Sequence, residues 1–188
     1  MTRRSRIDWL DAGVRALAEG GRGALTIDRM TSSLGVTRGS YYHHFSSSAD
    51  FEEQVVRHWA DAFLTTTAAL PEGVPVYIDL LDTVIREAYA PTTVGESAVR
   101  AWAREDPRVR AQVGRVDAAR RSFLRRAMSS SIQDAPELDV ATDTLAALLV
   151  GALELEPPLP SERVFELYLG FKRRYLATRA GTASKELT

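Results

Sequence analysis

The stretch that decides the fold of this chain is residues 26–45, TIDRMTSSLGVTRGSYYHHF. Its first apolar residues recur at helical spacing behind Thr26, a residue type that caps helix N-termini, and Gly35 is a typical helix stop. After the tight turn at 34–36, Thr37 is placed to cap a second short helix. Two short helices joined in this way are typical of a helix-turn-helix, which places its second helix in the major groove of DNA.

The second short helix has the side chains that DNA recognition needs. Arginine can contact guanine with two hydrogen bonds, and serine or threonine can bond base edges and phosphates. A glycine lets the helix lie close to the groove wall, and free backbone N–H groups behind the two threonine caps favour phosphate. The sequence therefore predicts contacts to double-stranded DNA from Thr26, Thr37, Arg38, Gly39, Ser40, Tyr42, His43 and His44. The alternative is two short helices in an ordinary bundle, with half-buried tyrosine and histidine rings.

Helical spacing of apolar residues continues through most of the chain, and it predicts an all-α fold of about nine helices. We expect the first helix to begin after Ser5 and to stop at Gly20, and the last to be capped by Ser161. The second helix is expected to be capped by Thr26. Five later helices are predicted over about 49–68, 76–89, 94–104, 107–128 and 137–155.

These elements predict two domains. Residues 1–48 form a three-helix head that binds DNA, and residues 49–188 form a helical ligand-binding and dimerisation domain. The fourth helix, about 49–68, is expected to connect the two.

Composition excludes several classes of function. The 188 residues contain no cysteine, so disulfides, thiolate metal sites and cysteine nucleophiles are impossible. Nucleotide-binding loops, nucleophile elbows and zinc-binding helices are missing, and the adjacent His43 and His44 diverge by about 100° on a helix. We therefore expect neither an enzyme nor a cofactor or metal. No apolar run reaches the ~18–20 residues of a membrane span, and no secretory signal is apparent, so a cytoplasmic location is expected.

Charge is distributed unevenly along the chain. The first 47 residues hold seven arginines and four acidic residues, a net charge of +3, whereas the whole chain carries −1. A basic N-terminal part on a more acidic remainder is consistent with a DNA-binding head. Arg3, Arg4 and Arg6 are candidates for a basic arm that follows the DNA backbone or enters the minor groove.

Residues 5–63 resemble the N-terminal domain of the TetR family of transcriptional regulators, most closely over 34–45, LGVTRGSYYHHF. The resemblance covers about a third of the chain. It implies that Tyr41 and Phe45 face the core of the head while their neighbours face DNA. Two positions depart from the family pattern: Ser48 stands where a phosphate-binding lysine is usual, and Tyr41 replaces a smaller aliphatic residue.

The remainder of the chain has wide apolar faces that either fill the chain's own core or bind a partner. The resemblance implies that the last two helices pair with their copies in a homodimer. The predicted dimer interface consists of Leu145, Leu148, Leu149, Ala152, Val164, Leu167, Tyr168 and Phe171. Large rings between helices suit a small-molecule pocket, although such residues are more often plain core. The predicted pocket consists of Tyr77, Leu81, Ile85, Tyr89, Trp102 and Phe123.

Together these patterns predict a sequence-specific DNA-binding regulator that recognises a palindromic operator as a homodimer. The resemblance implies a repressor that an unidentified small-molecule effector releases from DNA. The alternative is a helical ligand-binding or dimerisation module that has lost DNA binding, which the replacement of lysine by Ser48 favours.

Overall fold

A computed structural model of the chain describes residues 4–68, 78–88 and 95–176, and these fold into nine α-helices without a strand. A single 3₁₀ turn follows the first helix, and the fifth continues into a π-helical turn, Val84–Ala88. The all-α prediction is therefore confirmed. The helices are α1 Arg6–Gly20, α2 Ile27–Leu34, α3 Arg38–His44, α4 Ser48–Ala68, α5 Ile78–Thr83, α6 Glu96–Ala103, α7 Pro107–Met128, α8 Ala135–Glu154 and α9 Ser161–Tyr175.

The first three helices begin and end at the residues that the sequence indicates. Ser5 and Asp8 form a capping box at α1, in which the Ser5 N–H donates to the Asp8 carboxylate over 2.7 Å. This backbone hydrogen bond lowers the pKa of Asp8. Gly35 ends α2 with φ 65° and ψ 39°, the left-handed conformation that glycine adopts without steric cost. The turn into α3 is therefore fixed by one residue.

The starts of three later helices differ from the sequence prediction, and one of them, α6, begins at Glu96 instead of about 94, with Gly95 at its cap position. Helix α8 begins at Ala135 because Asp134 accepts a hydrogen bond from the Glu137 N–H at 3.0 Å and so caps the helix. Ser161, the predicted cap of α9, is instead the first helical residue, and Pro160 occupies the cap position without a side-chain hydrogen bond. The fixed φ of proline next to a serine made the two positions hard to distinguish by sequence.

The chain divides into two compact units. The first contains 1–66 and 92–116, and the second contains 67–91 and 117–188. The first unit thus combines most of α4 and all of α6 with the three N-terminal helices. The sequence suggested a division at 48. The exact functional domain limits stay a prediction.

In the first unit, α1 and α4 approach each other closely at Gly13. A Cβ atom at this position would lie 2.5 Å from Val55 Cγ2 and 3.1 Å from the Phe51 ring. Both neighbours are fully buried, so neither can withdraw without disturbing the core. Only glycine permits this approach, which sets the distance between the two helices.

Helix α6 packs on α1 in the same unit. Its first residue, Glu96, is 0% exposed and forms an ion pair with Arg100 at 2.8 Å. Gly95 precedes it with φ 76°, and a Cβ atom there would lie 3.4 Å from the Val14 carbonyl oxygen. The ion pair lies within α6 and compensates its buried carboxylate. The close approach of Gly95 to Val14 is the contact that brings the start of α6 against α1.

The second unit has its own core, formed by residues of α5, α7, α8 and α9. A polar cluster lies at its edge, where the Tyr168 hydroxyl donates to Asp82 Oδ1 at 2.6 Å and Lys172 Nζ donates to Asp82 Oδ2 at 2.6 Å. These bonds satisfy a hydroxyl whose residue is 0% exposed. None of the helices in the described part of the chain has the length and apolarity required to cross a membrane.

Candidate nucleic-acid interface

Helix α3 is held on the first unit by an aromatic cluster, defined here as Trp9, Tyr41, Phe45 and Phe51. All four rings are almost completely buried. Tyr41 and Phe45 lie one helical turn apart, and both contact Phe51 of α4, with ring centroids 5.5 and 4.8 Å away. Trp9 of α1 meets the Tyr41 ring edge-on at 5.5 Å. The implied inward orientation of Tyr41 and Phe45 is confirmed.

The other side of α3 is open to solvent. Arg38 and Tyr42 are one turn apart, as are Gly39 and His43, and all four are exposed, Tyr42 to 57%. Ser40 and His44 form a third such pair at the edge of this face and are half-buried, while Thr26 and Thr37 are exposed at the starts of α2 and α3. The structure therefore places Arg38, Gly39, Tyr42 and His43 together on the exposed side of α3. His44 lies at the edge of this side, with its ring 6.3 Å from that of Trp9.

Arg38 is bound to an acidic residue of the preceding helix. Its Nε donates to Asp28 Oδ1 at 2.9 Å, and the side chains of the two residues are 69% and 71% exposed. An exposed pair contributes little to stability, but it orients the guanidinium and leaves other N–H donors for a second acceptor. The sequence analysis missed Asp28, since the ten-residue separation depends on the angle of the turn. An acid in the first turn of α2 was the only available signal.

Gly39 has room for a side chain. A Cβ atom there would meet only Thr37 Oγ1, at 3.6 Å, which is an ordinary van der Waals distance. Glycine lowers helix stability, and no close approach within the described residues requires it at this position.

The two threonines act as helix caps. Thr26 Oγ1 accepts from the Arg29 N–H at 3.3 Å, and Thr37 Oγ1 accepts from the Ser40 N–H at 3.4 Å. Their oxygens are therefore occupied within the head, and their hydroxyl protons are the groups suited to a phosphate.

The basic arm is held against the head. Arg4 Nε donates to the Leu34 carbonyl oxygen at 3.4 Å, and the Arg4 carbonyl oxygen lies 3.2 Å from His44 Nε2. Arg6 is the first residue of α1, where its Nε donates to Gln54 Oε1 at 2.8 Å. Arg3 lies outside the described residues. His44 and the arm thus stabilise each other, and Arg4 is the described residue of the arm nearest to the turn.

The two departures from the family pattern lie next to each other. The Tyr41 hydroxyl donates to the Ser47 carbonyl oxygen at 3.3 Å, immediately before Ser48, the exposed first residue of α4. Burial raises the pKa of Tyr41 to about 12, so the hydroxyl is neutral at physiological pH. The larger ring therefore fits the core by extending its polar end to the start of α4.

The described members of the predicted pocket are divided between the two units. Leu81, Ile85 and Phe123 lie in the core of the second unit, and Trp102 belongs to the first. Tyr77 and Tyr89 lie outside the described residues. The pocket stays a prediction.

The predicted dimer residues fill the core of their own chain to a large extent. Six of them are buried in the second unit, namely Leu145, Leu149, Ala152, Val164, Tyr168 and Phe171, while Leu148 and Leu167 are half-buried. The more exposed apolar residues of this unit include Val140 and Leu155 of the α8 region, 58% and 53% exposed. The dimer interface also stays a prediction.

Residues 10–53 match the family model described as bacterial regulatory proteins, tetR family. No curated protein matches the sequence. The described groups of histidine and acidic residues include no cluster that could hold a metal ion.

Solved structures of bacterial regulators share the fold. A transcriptional regulator from Rhodococcus sp. Rha1 has a TM-score of 0.65 at 19% identity, over 91% of this chain and 97% of that one. One from Aquifex aeolicus VF5, described as TerR/AcrR family, has a TM-score of 0.66 at 12% identity, over 90% and 99%. SmeT, the repressor of the Stenotrophomonas maltophilia multidrug efflux pump SmeDEF, has a TM-score of 0.61 at 18% identity, over 93% and 91%. The matched family and these neighbours are regulators and not enzymes.

Proposed function

We propose that this chain, which belongs to the tetR family of bacterial regulatory proteins through its N-terminal domain, is a homodimeric repressor of transcription. It binds a palindromic operator through α3, and a small-molecule effector releases it. Its place of action is the cytoplasm, where the chromosome is accessible. The observation that carries the proposal is the outward face of α3, with Arg38, Gly39, Tyr42 and His43 exposed above a buried aromatic cluster.

The residues of this face suit a DNA duplex better than another partner. Arginine offers a planar set of donors that matches the two major-groove acceptors of guanine. The adjacent Gly39 presents no side chain, so the backbone of α3 can approach the groove. The buried centre of a protein–protein interface is more apolar than its rim, whereas the one large apolar side chain exposed on this face is Tyr42.

Repression is supported by SmeT, whose printed description is a repressor and whose fold matches over 93% of this chain. A helix-turn-helix dimer reads two half-sites about 34–36 Å apart, so twofold symmetry of the protein requires a palindromic operator. Release by an effector requires that the ligand bind more tightly to the form of the protein that does not fit the operator.

The test is a binding experiment on DNA. An operator is selected from a random duplex library, and the affinity of the full chain is measured by fluorescence anisotropy over a range of salt concentrations. We expect selected sequences with twofold symmetry and affinity that falls steeply with salt. Absence of any binding at low salt would overturn the proposal and favour the module without DNA binding.

The substitution Arg38→Ala tests whether Arg38 contacts a DNA base. If Arg38 contacts a guanine, its loss weakens operator binding by about 1–3 kcal/mol and relaxes the preference at one base pair in each half-site. Arg57→Ala is the matched control, since Arg57 of α4 is also exposed and also paired with an acid, Glu53, at 2.7 Å. A uniform loss on all DNA sequences would instead make Arg38 a phosphate contact.

A further inference from the structure

Arg4 of the basic arm links the two helices of the helix-turn-helix. Its carbonyl oxygen lies 3.2 Å from Nε2 of His44, the last residue of α3. Its Nε donates to the carbonyl oxygen of Leu34, the last residue of α2, at 3.4 Å. The backbone of Arg4 is therefore fixed to α3 while its side chain is fixed to the end of α2.

Each of these contacts has a chemical cause. A carbonyl oxygen can only accept a hydrogen bond, so the His44 Nε2 carries the proton. The His44 ring is half-buried, 6.3 Å from the ring of Trp9 and 5.1 Å from that of His43, and this packing orients its donor. The last carbonyl groups of a helix have no partner within the helix, and Arg4 supplies one to Leu34.

Arg6, the other described arginine of the arm, points to a different element. Its Nε donates to Gln54 of α4, and its guanidinium carbon lies 5.4 Å from the centre of the Phe45 ring. Arg4 is therefore the described arginine of the arm that lies beside α3 at its exposed edge.

We propose that His44 is a positioning residue, which holds Arg4 so that the Arg4 guanidinium binds a phosphate at the wall of the groove that α3 reads. An α-helix with its side chains is about 10–12 Å wide and the major groove about 12 Å, so a group attached to the flank of α3 meets phosphates and not base edges. The Arg4 Nε is used on Leu34, and the two Nη groups carry the donors suited to a phosphate.

This assignment rests on the proposed function and refines it. His44 was predicted from the sequence as a residue that contacts DNA. Its ring donor is instead used on the Arg4 backbone, so His44 acts on DNA through Arg4. Loss of either side chain is therefore expected to weaken binding to all sequences alike, because a phosphate contact carries no base preference.

The hydrogen bond between His44 and the arm can be tested without DNA. The heteronuclear ¹⁵N NOE of the Arg4 amide reports motion of the arm on the picosecond to nanosecond scale. We expect it to fall in His44→Phe, which keeps a ring but lacks the donor, and to be retained in His44→Gln, whose Nε2 is a donor. The Ser5 amide is an internal control, since it is bound to Asp8 at 2.7 Å. An unchanged Arg4 value in His44→Phe would overturn the positioning role.

The phosphate contact is tested by the affinity of the full chain for its operator and for single-base-pair variants of that operator. Arg4→Gln is expected to weaken binding to every duplex by about 3- to 10-fold. It should also lower the slope of log affinity against log salt concentration by about 0.9 for each half-site. Arg15→Gln removes the same charge from an exposed position of α1 more than two turns further along and is expected to leave the slope unchanged. A loss confined to particular base pairs, or no loss, would contradict the assignment.

The same measurement on His44 variants separates positioning from direct contact. His44→Phe is expected to reproduce the loss and the slope of Arg4→Gln, whereas His44→Gln is expected to restore both. The double variant His44→Phe/Arg4→Gln should bind no more weakly than Arg4→Gln alone, because the two residues act as one unit. Additive losses, or a changed preference at one base pair, would show that His44 contacts DNA itself. If His44→Phe does not fold, His44→Ala removes the donor without added volume.

The two proposals fail in different ways. A chain that binds no duplex at low salt removes the proposed function and this inference with it. Operator binding that His44→Phe leaves unchanged removes the inference alone.

Discussion

At the scale of single residues, the proposed DNA interface depends on hydrogen-bond donors and space that the folded chain does not itself use. Arg38 uses part of its guanidinium on Asp28, and Gly39 leaves space that no described residue fills. Both observations concern groups that satisfy the folded chain and still have capacity for a second partner.

Replacing Gly39 by alanine is expected to have opposite effects on folding and on DNA binding. The methyl group removes the entropic cost of glycine and raises the free energy of unfolding by about 0.5–1 kcal/mol. It also lies on the exposed face, so operator binding is expected to fall by about 1 kcal/mol or more through steric overlap. Chemical denaturation and anisotropy measure the two quantities. Gly114→Ala, at an exposed glycine of α7 with no described atom near its Cβ position, controls for the stability gain alone.

Replacing Asp28 by asparagine tests whether the ion pair positions Arg38. Removal of a negative charge beside the interface is expected to raise affinity for random duplex by up to about fivefold, the upper value of an exposed pair. The ratio of operator to random affinity is expected to fall, because the guanidinium loses its orientation. Glu19→Gln is the matched control, since Glu19 forms an exposed pair with Arg29 at 2.8 Å in the same unit. An unchanged ratio would mean that Asp28 has no positioning role.

The amino-acid sequence was sufficient to predict which residues of α3 are exposed, but not which residues of other elements they contact. Helical periodicity separates Tyr41 and Phe45 from Arg38 and Tyr42, because residues three and four apart share a face. The Asp28 contact and the bond between His44 and Arg4 depend on the angle between elements, which periodicity does not encode.

At the scale of elements, local capping chemistry made the first three helices predictable. Ser5, Thr26 and Thr37 each accept a backbone hydrogen bond at a helix start, which is an interaction within a few residues of sequence. Where a proline stands next to a capping residue type, as at Pro160 and Ser161, the start shifts by one position.

The junction of α3 and α4 has a testable pH dependence through Tyr41. Burial raises the pKa of Tyr41 to about 12, above the unfolded value of about 10. Below pH 10 the Tyr41 hydroxyl is neutral in both the folded and the unfolded chain, so its contribution to the free energy of unfolding is complete there. As the pH rises from 10 to 12, the unfolded chain ionises first, and the free energy of unfolding is expected to fall by about 2 kcal/mol. Denaturation across this range, compared with Tyr41→Phe, isolates the contribution; parallel curves would contradict it.

At the scale of the whole molecule, hydrophobicity alone did not distinguish a chain's own core from a partner surface. Tyr168 was predicted at the dimer interface, yet it is completely buried beside Asp82 within its own unit. The apolar pattern of a helix reports that a face is covered, but not by which chain. The exposed side of α8 is therefore the better candidate for pairing, with Val140, Thr144, Ala147, Gly151 and Leu155 at helical spacing.

Gly151→Glu tests this candidate surface. A Cβ atom at Gly151 meets no described atom within 4 Å, so the substitution fits the single chain without strain. In a dimer formed through α8, the new carboxylate would be desolvated in an apolar contact without a charged partner. The dissociation constant of the dimer is therefore expected to rise at least tenfold. Sedimentation equilibrium measures it. Gly114→Glu introduces the same charge at an equally open glycine of α7 and is expected to leave the association unchanged.

The aromatic cluster has a mechanical meaning for the protein as a regulator. Because rings from α1, α3 and α4 interlock with almost no exposed surface, the reading helix cannot rock independently of the long helix behind it. A small rotation at the start of α4 is therefore expected to move α3, and Arg38 with it. In the proposed dimer, an effector would then control DNA binding by changing the distance between the two copies of α3, while each copy of the helix keeps its own shape.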